Sequence, residues 1–190
     1  MIRAAVAVKP KTSRCKECRQ QYAKRSMAHV YCSPPCLFAA KKKADEKKAR
    51  ADYKVRKESL KTLSDYKAET QVVVNQFIRL RDADLPCISC GRHHQGQYHA
   101  GHYKSVGAHP ALRFNELNIH KQCKPCNADK GGNILEYRKA LIAKCGLAVV
   151  DFLEGPHAPA HYSVEDCQRI KAEFKARIKQ LQQKENPALR

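Results

Sequence analysis

Two cysteine pairs, Cys87-x-x-Cys90 and Cys123-x-x-Cys126, enclose the residues of this chain best suited to chemistry. Thirty-two residues separate the pairs, among them His99, His102 and Asn118, and Asn127 follows the last cysteine directly. Four thiolates on two short knuckles match the tetrahedral preference of zinc, so the quartet is expected to hold one structural Zn2+. The enclosed imidazole and amides are then free for a second task. A neutral imidazole takes a proton from water near physiological pH, which makes His102 the candidate general base. A divalent cation opposite it would polarise a phosphate and stabilise the leaving oxygen. Asn118 is expected to bridge a hairpin and its loop and so orient the base. Asn127 offers an oxygen ligand, and Lys130 a cation for phosphate. Of the nine histidines, His93, His94, His109, His157 and His161 read as surface or structural residues, and His120 as a strand residue supporting the site.

These side chains need elements to hold them. The segment between the pairs is long enough for a β-hairpin, with Tyr98–Tyr103 as one strand and Leu117–His120 in the other. Gly91 supplies the turn after the first knuckle. Asn127 then opens a short helix pinned by the zinc, which Gly131-Gly132 would cut short. Downstream, Asn133 is expected to cap a helix through about Lys144 that ends at Gly146, with Ile134, Leu135, Tyr137, Leu141 and Ile142 as its apolar side. Ser163 and Asp166 form a capping-box pattern ahead of a last helix striped by Ile170, Phe174, Ile178 and Leu181. A loop marked by Gly155-Pro156 and Pro159 separates them. Cys145 and Cys167 fall in apolar helical patterns and read as buried, inert thiols.

Three regions result. Residues 1–38 carry a second quartet, Cys15, Cys18, Cys32 and Cys36, with the layout of a zinc knuckle that folds with its metal. Residues 39–84 are a basic, helix-favouring stretch without Gly or Pro, stopped by Pro86. Its first part (Lys41, Lys42, Lys43, Lys47, Lys48, Arg50) reads as a solvated rod suited to phosphate contact. From Leu60 an apolar seam runs through Leu63, Thr70, Val74 and Phe77. It suits either a dimer-forming coiled coil or one amphipathic helix packed on its own domain. Residues 85–190 hold the second quartet and the C-terminal helices.

Thirty-seven Lys and Arg against eighteen Asp and Glu leave a formal charge of +19, which favours polyanionic partners, nucleic acid first. No apolar run is long enough to span a bilayer, and MIRAAVAVKP is too short for a secretory signal. Cysteine spacing and compartment together favour metal over disulfides. The expected compartment is a reduced cytoplasm.

The order His, then Asn, then Asn after the last cysteine is that of an HNH-type ββα-metal nuclease centre. The runs Asp84-Leu-Pro-Cys-Ile-Ser-Cys-Gly91, Ala100-Gly-His-Tyr103, Leu112-Arg-Phe-Asn-Glu116 and Asn118-Ile-His-Lys-Gln-Cys123 resemble the lambdoid phage NinG (Rap) recombination proteins, as do the N-terminal knuckle and the lysine-rich helix. The resemblance implies an α+β fold: a zinc-stabilised HNH-like ββα-metal nuclease domain with C-terminal helices, preceded by the N-terminal knuckle and the long basic helix. It further implies a recombination endonuclease acting on branched double-stranded DNA such as Holliday junctions and D-loops, in the cytoplasm of a host bacterium and at its nucleoid. One departure concerns the catalytic cation. The position before the base, normally a His or Asp ligand, is Gly101; His99 or Asp129 would replace it. The cation is then Mg2+, Mn2+ or a further zinc, and an oxygen-rich site favours the hard ions. The alternative is a non-catalytic zinc protein that binds branched DNA or other nucleic acid.

Overall fold

The computed structural model describes residues 12–185 and divides into two compact units, one ending at Leu60 and the other beginning at Lys61.

In the first unit, strands β1 (Thr12–Arg14) and β2 (Gln21–Ala23) pair antiparallel around the first knuckle, where Arg19 adopts a left-handed conformation (φ 63°). Helix α1 (Pro34–Ser59) follows, and its Pro34-Pro35 start pre-sets the helical φ where no amide donor is needed. Cys36 therefore sits in the first helical turn. None of the 26 residues of α1 is buried, so the helix is a solvated rod about 39 Å long by its rise per residue.

The 39–84 stretch, expected as one helix, is two. The helix is interrupted at Leu60–Thr62, where the Thr62 side chain accepts from Asp65 N and the Asp65 carboxylate accepts from Thr62 N (2.8 Å). This reciprocal cap starts α2 (Leu63–Arg81) afresh. The apolar seam lies inside the second unit. Thr70, Val74 and Phe77 are buried, and Phe77 meets Phe174 of α5 (Val164–Glu185) edge to face at 5.1 Å. Thr70 Oγ1 also donates to Cys167 O (3.0 Å). Only Leu60 and Leu63 of the seam stay exposed. The packing is that of an amphipathic helix on its own domain.

Strands β3 (Tyr98–His102) and β4 (Ile119–Cys123) form an antiparallel hairpin in which His102 faces Ile119 and Gly101 faces His120. One core joins α2 and α5 to Phe114 and Ile119; a second gathers Tyr103, Leu112, Tyr137, Leu141, Val150 and Leu153. The second core rests on α3 (Ile134–Cys145) and α4 (Leu147–Glu154). Helix α4 lies in a segment given no helix by the sequence reading.

Three local expectations are corrected. Asn133 does not cap α3: it adopts the left-handed region (φ 46°) and turns its amide to Cys126 Sγ (3.7 Å). Ile134 and Leu135 are exposed, and the apolar side of α3 rests on Tyr137 and Leu141. Cys145 is only half-buried, whereas Cys167 is buried. The Ser163–Asp166 box forms as expected, each residue's side chain bonding the other's amide at 3.1 Å. Among the described residues no helix is long and apolar enough to cross a membrane.

Candidate functional site

The two quartets each bring four thiols together. In both, all four Sγ atoms lie within 4.8 Å of one another, and the ten cysteines are free. A tetrahedral ion with Zn–S bonds of about 2.3 Å needs sulfurs about 3.8 Å apart. Cys18 and Cys32 are 3.5 Å apart, Cys32 and Cys36 3.5 Å, and Cys90 and Cys123 4.0 Å. Both donor sets therefore fit Zn2+.

Donors outside the metal shell converge on the second quartet. Cys87 Sγ accepts from Cys123 N (3.3 Å), Cys126 Sγ from Asn133, and Cys90 Sγ lies 3.2 Å from His94 Nε2. Burial raises the Cys87 pKa, but the amides of Cys123, Cys90 and Ser89 outweigh it and pull the thiol below its ordinary value. Such donors offset thiolate charge and orient the ligands. His94, read from the sequence only as a surface or structural residue, is one of them; its place four residues after Cys90 is the signal for it.

Beside this cluster the hairpin presents His102. Its Nε2 lies 3.0 Å from the Arg113 carbonyl, which can only accept, so Nε2 carries the hydrogen and Nδ1 keeps a basic lone pair. Burial lowers the His102 pKa below the ordinary histidine value; the carbonyl bond opposes this and the Arg113 charge adds to it. The shift favours the neutral ring.

Asn118 is fully buried at the end of the helical turn Glu116–Asn118. Its Oδ1 accepts from Lys104 N (2.7 Å), and its Nδ2 donates to Lys104 O (3.0 Å) and Leu112 O (3.2 Å). Its own carbonyl accepts from Tyr103 N (2.8 Å). One amide thus closes the loop that carries the Arg113 carbonyl back onto His102.

Asn127 sits on the helical turn Pro125–Asp129, directly after the clamp, with its Nδ2 2.9 Å from His99 Nδ1. Asn127 and His102 line the same open groove of about 530 Å³, with Lys104 and His109. Gly101 is a requirement of this arrangement: a Cβ there would collide with Gln122 Oε1 and lie 3.0 Å from Asn127 Oδ1. Gln122, absent from the sequence reading, is buried with Nε2 bonded to Ser89 Oγ (2.6 Å) and Gly132 O (2.5 Å), and its Oε1 has no hydrogen-bond partner among the described residues. The space a ligand at position 101 would use is filled by amide oxygens.

Among the described residues only the two quartets gather three or more His, Cys, Asp or Glu ligand atoms. His99 and Asp129 belong to neither; Asp129 and Lys130 are exposed just past Asn127. His120 is buried, with Nδ1 3.2 Å from Tyr137 Oη, whose hydroxyl donates to Gly101 O (3.0 Å). It anchors the hairpin to α3. In the other unit Lys41, Lys42, Lys43, Lys47, Lys48 and Arg50 are all exposed, and Lys43 is paired with Glu17.

Fold and site together define an α+β protein with two four-cysteine clusters that fit zinc, one of them beside a hairpin-borne histidine. The family described as "Bacteriophage Lambda NinG protein" matches residues 7–185, and the chain belongs to that family. It is 40% identical to Protein ninG of Escherichia phage lambda, covering 95% of this chain and 98% of the relative. It is likewise 40% identical to Protein ninG of Salmonella phage P22 (92% and 96%) and 38% identical to Protein ninG of Escherichia phage 933W (95% and 98%). No solved structure matches.

Proposed function

We propose that this phage protein is a metal-dependent, structure-selective DNA endonuclease with an HNH-like ββα centre, acting in the host cell on branched recombination intermediates such as Holliday junctions and D-loops. The observation that carries the reading is the His102 tautomer. A carbonyl at Nε2 leaves Nδ1 basic, in a groove open enough for a phosphodiester. In the reaction, His102 Nδ1 takes a proton from the attacking water. Asn118 holds the loop whose Arg113 carbonyl fixes the ring. Asn127 Oδ1, over Gly101, is the oxygen offered to a hard cation, and His99 steadies that amide from its other side. Mg2+ or Mn2+, when bound, would supply charge neutralisation at the phosphate and leaving oxygen; such ions keep several waters and need few protein ligands. Asp129, exposed two residues past Asn127, would be a further candidate ligand for that cation, and Lys130 a phosphate contact. The exposed cations of α1 are suited to the arms of a branch.

The rival reading, a zinc scaffold that binds branched DNA without cutting it, draws on the two quartets being the only convergent ligand groups among the described residues. His102→Ala separates the two. A catalyst loses cutting by 10²-fold or more while retaining junction affinity; equal cutting by variant and parent rejects the assignment.

A further inference from the structure

Asn127 and Ala100 line two grooves. One is the His102 groove; the other, of about 440 Å³, is walled by Asn75, Arg79 and Gln97 and reaches His99. Asn75 and Arg79 are four residues apart on α2 and so share a face.

Asn75, His99 and Arg79 each have a donor to spare along the second groove. Asn75 Oδ1 already accepts from Gln71 Nε2 (2.8 Å), which leaves the Asn75 amide hydrogens unspent. His99 Nδ1 accepts from Asn127 Nδ2, so in the neutral ring Nε2 carries the hydrogen. Arg79 is exposed and makes no hydrogen bond or ion pair with the described residues. The contrast with Arg81 is instructive: that guanidinium is spent on Asp82 and on the carbonyls of Glu116 and Ile119. No carboxylate lines the groove. A guanidinium, an amide and an imidazole N–H, facing solvent without a counter-charge, repel a cation and match phosphodiester oxygens.

We propose that the Asn75–Arg79–His99 groove seats a backbone phosphate of the DNA strand flanking the one at His102. The strand then crosses Ala100 and Asn127 between the Lys104 and Arg79 sides, and α2 is part of the substrate interface as well as of the core. This placement rests on the nuclease reading for the neighbouring groove. Arg79 is a binding residue, and no chemistry is assigned to it.

The test is fluorescence anisotropy of a labelled four-way junction over a salt series without added divalent cation, for wild type, Arg79→Ala and Arg79→Lys, with cleavage in Mg2+ or Mn2+ run in parallel. Arg79→Ala is expected to weaken binding several-fold and to reduce the slope of log K against log salt by about 1. Arg79→Lys is expected to keep that slope. Zinc content and melting temperature are expected to stay at wild-type values, because the exposed side chain makes no hydrogen bond or ion pair with the described residues. Unchanged affinity and slope in Arg79→Ala overturn the proposal. If that happens while wild type cuts, the groove alone is wrong. If the slope falls as expected while wild type cuts nothing, the phosphate contact at Arg79 stands and the His102 assignment falls. Absence of junction binding by wild type overturns both.

Discussion

At the scale of single residues, the site depends on where hydrogens sit and on which side chains are missing. His102 keeps a basic Nδ1 because a carbonyl holds Nε2, and burial keeps the ring neutral. The acid limb of the cleavage profile should therefore lie below the ordinary histidine value, and a limb above about 6.5 would contradict a buried, neutral base. Gly101 and Gln122 are coupled by contact. Gly101→Ala should destabilise the chain by about 1–3 kcal/mol through overpacking, and adding Gln122→Ala should recover part of that loss; additive effects in a double-mutant cycle would argue against the contact. His94→Ala should release zinc to a chelator about ten-fold faster, measured on the folded chain with a colorimetric zinc indicator. That His102, Asn118 and Asn127 would gather at one hairpin was expected from type and order alone. The surroundings of Gln122, His94 and Arg79 were not, because each depends on which neighbour the fold brings within reach, and sequence spacing is silent about that.

At the scale of elements, the hairpin is held from both faces, and the hold on one side is pH-sensitive. His120 is buried between Tyr137 and the Asp82, Arg81 and Lys144 charges; burial first, then the two cations, push its pKa down to about 3. The unfolded chain binds that proton near pH 6.5, whereas the folded chain does so only near 3. Stability from the neutral ring is thus complete above about 6.5 and declines as pH falls toward 3, by at most about 1.4 kcal/mol per pH unit. Urea melts between pH 6.5 and 4.5 should show a shallower decline in His120→Gln than in wild type; parallel declines would assign the acid sensitivity elsewhere, as to the zinc thiolates. The hairpin, α3 and α5 were legible from knuckle spacing and apolar periodicity. The break at Leu60–Thr62 was masked because nothing in that stretch forbids helix; Thr62 and Asp65 simply make a better start than a continuation. Helix α4 escaped notice since its eight residues, Leu147–Glu154, are too few to establish a period. The seam shows the limit of pattern: the stripe of Thr70, Val74 and Phe77 is the same whether its partner is a second copy or α5, and here it is α5.

At the scale of the molecule, charge and metal set the behaviour. A chain of net charge +19 with an unburied 26-residue basic helix should bind nucleic acid with a steep salt dependence. Several phosphate contacts imply a loss of about 10³-fold or more in affinity between 50 and 200 mM salt; a flat response would contradict the phosphate-binding account. That excess of cations was plain in the composition, but the division at Leu60 was not, since it depends on which helix finds a core to pack on. Every one of these properties also suits a zinc scaffold, so the central claim needs a measurement of chemistry. That measurement is strand cleavage of a synthetic four-way junction beside a matched linear duplex, in Mg2+, in Mn2+ and with neither, for wild type and His102→Ala. The account predicts metal-dependent cutting that favours the junction and is lost in His102→Ala, with binding retained. Tight binding without cutting in either metal, or equal cutting by variant and wild type, would contradict it.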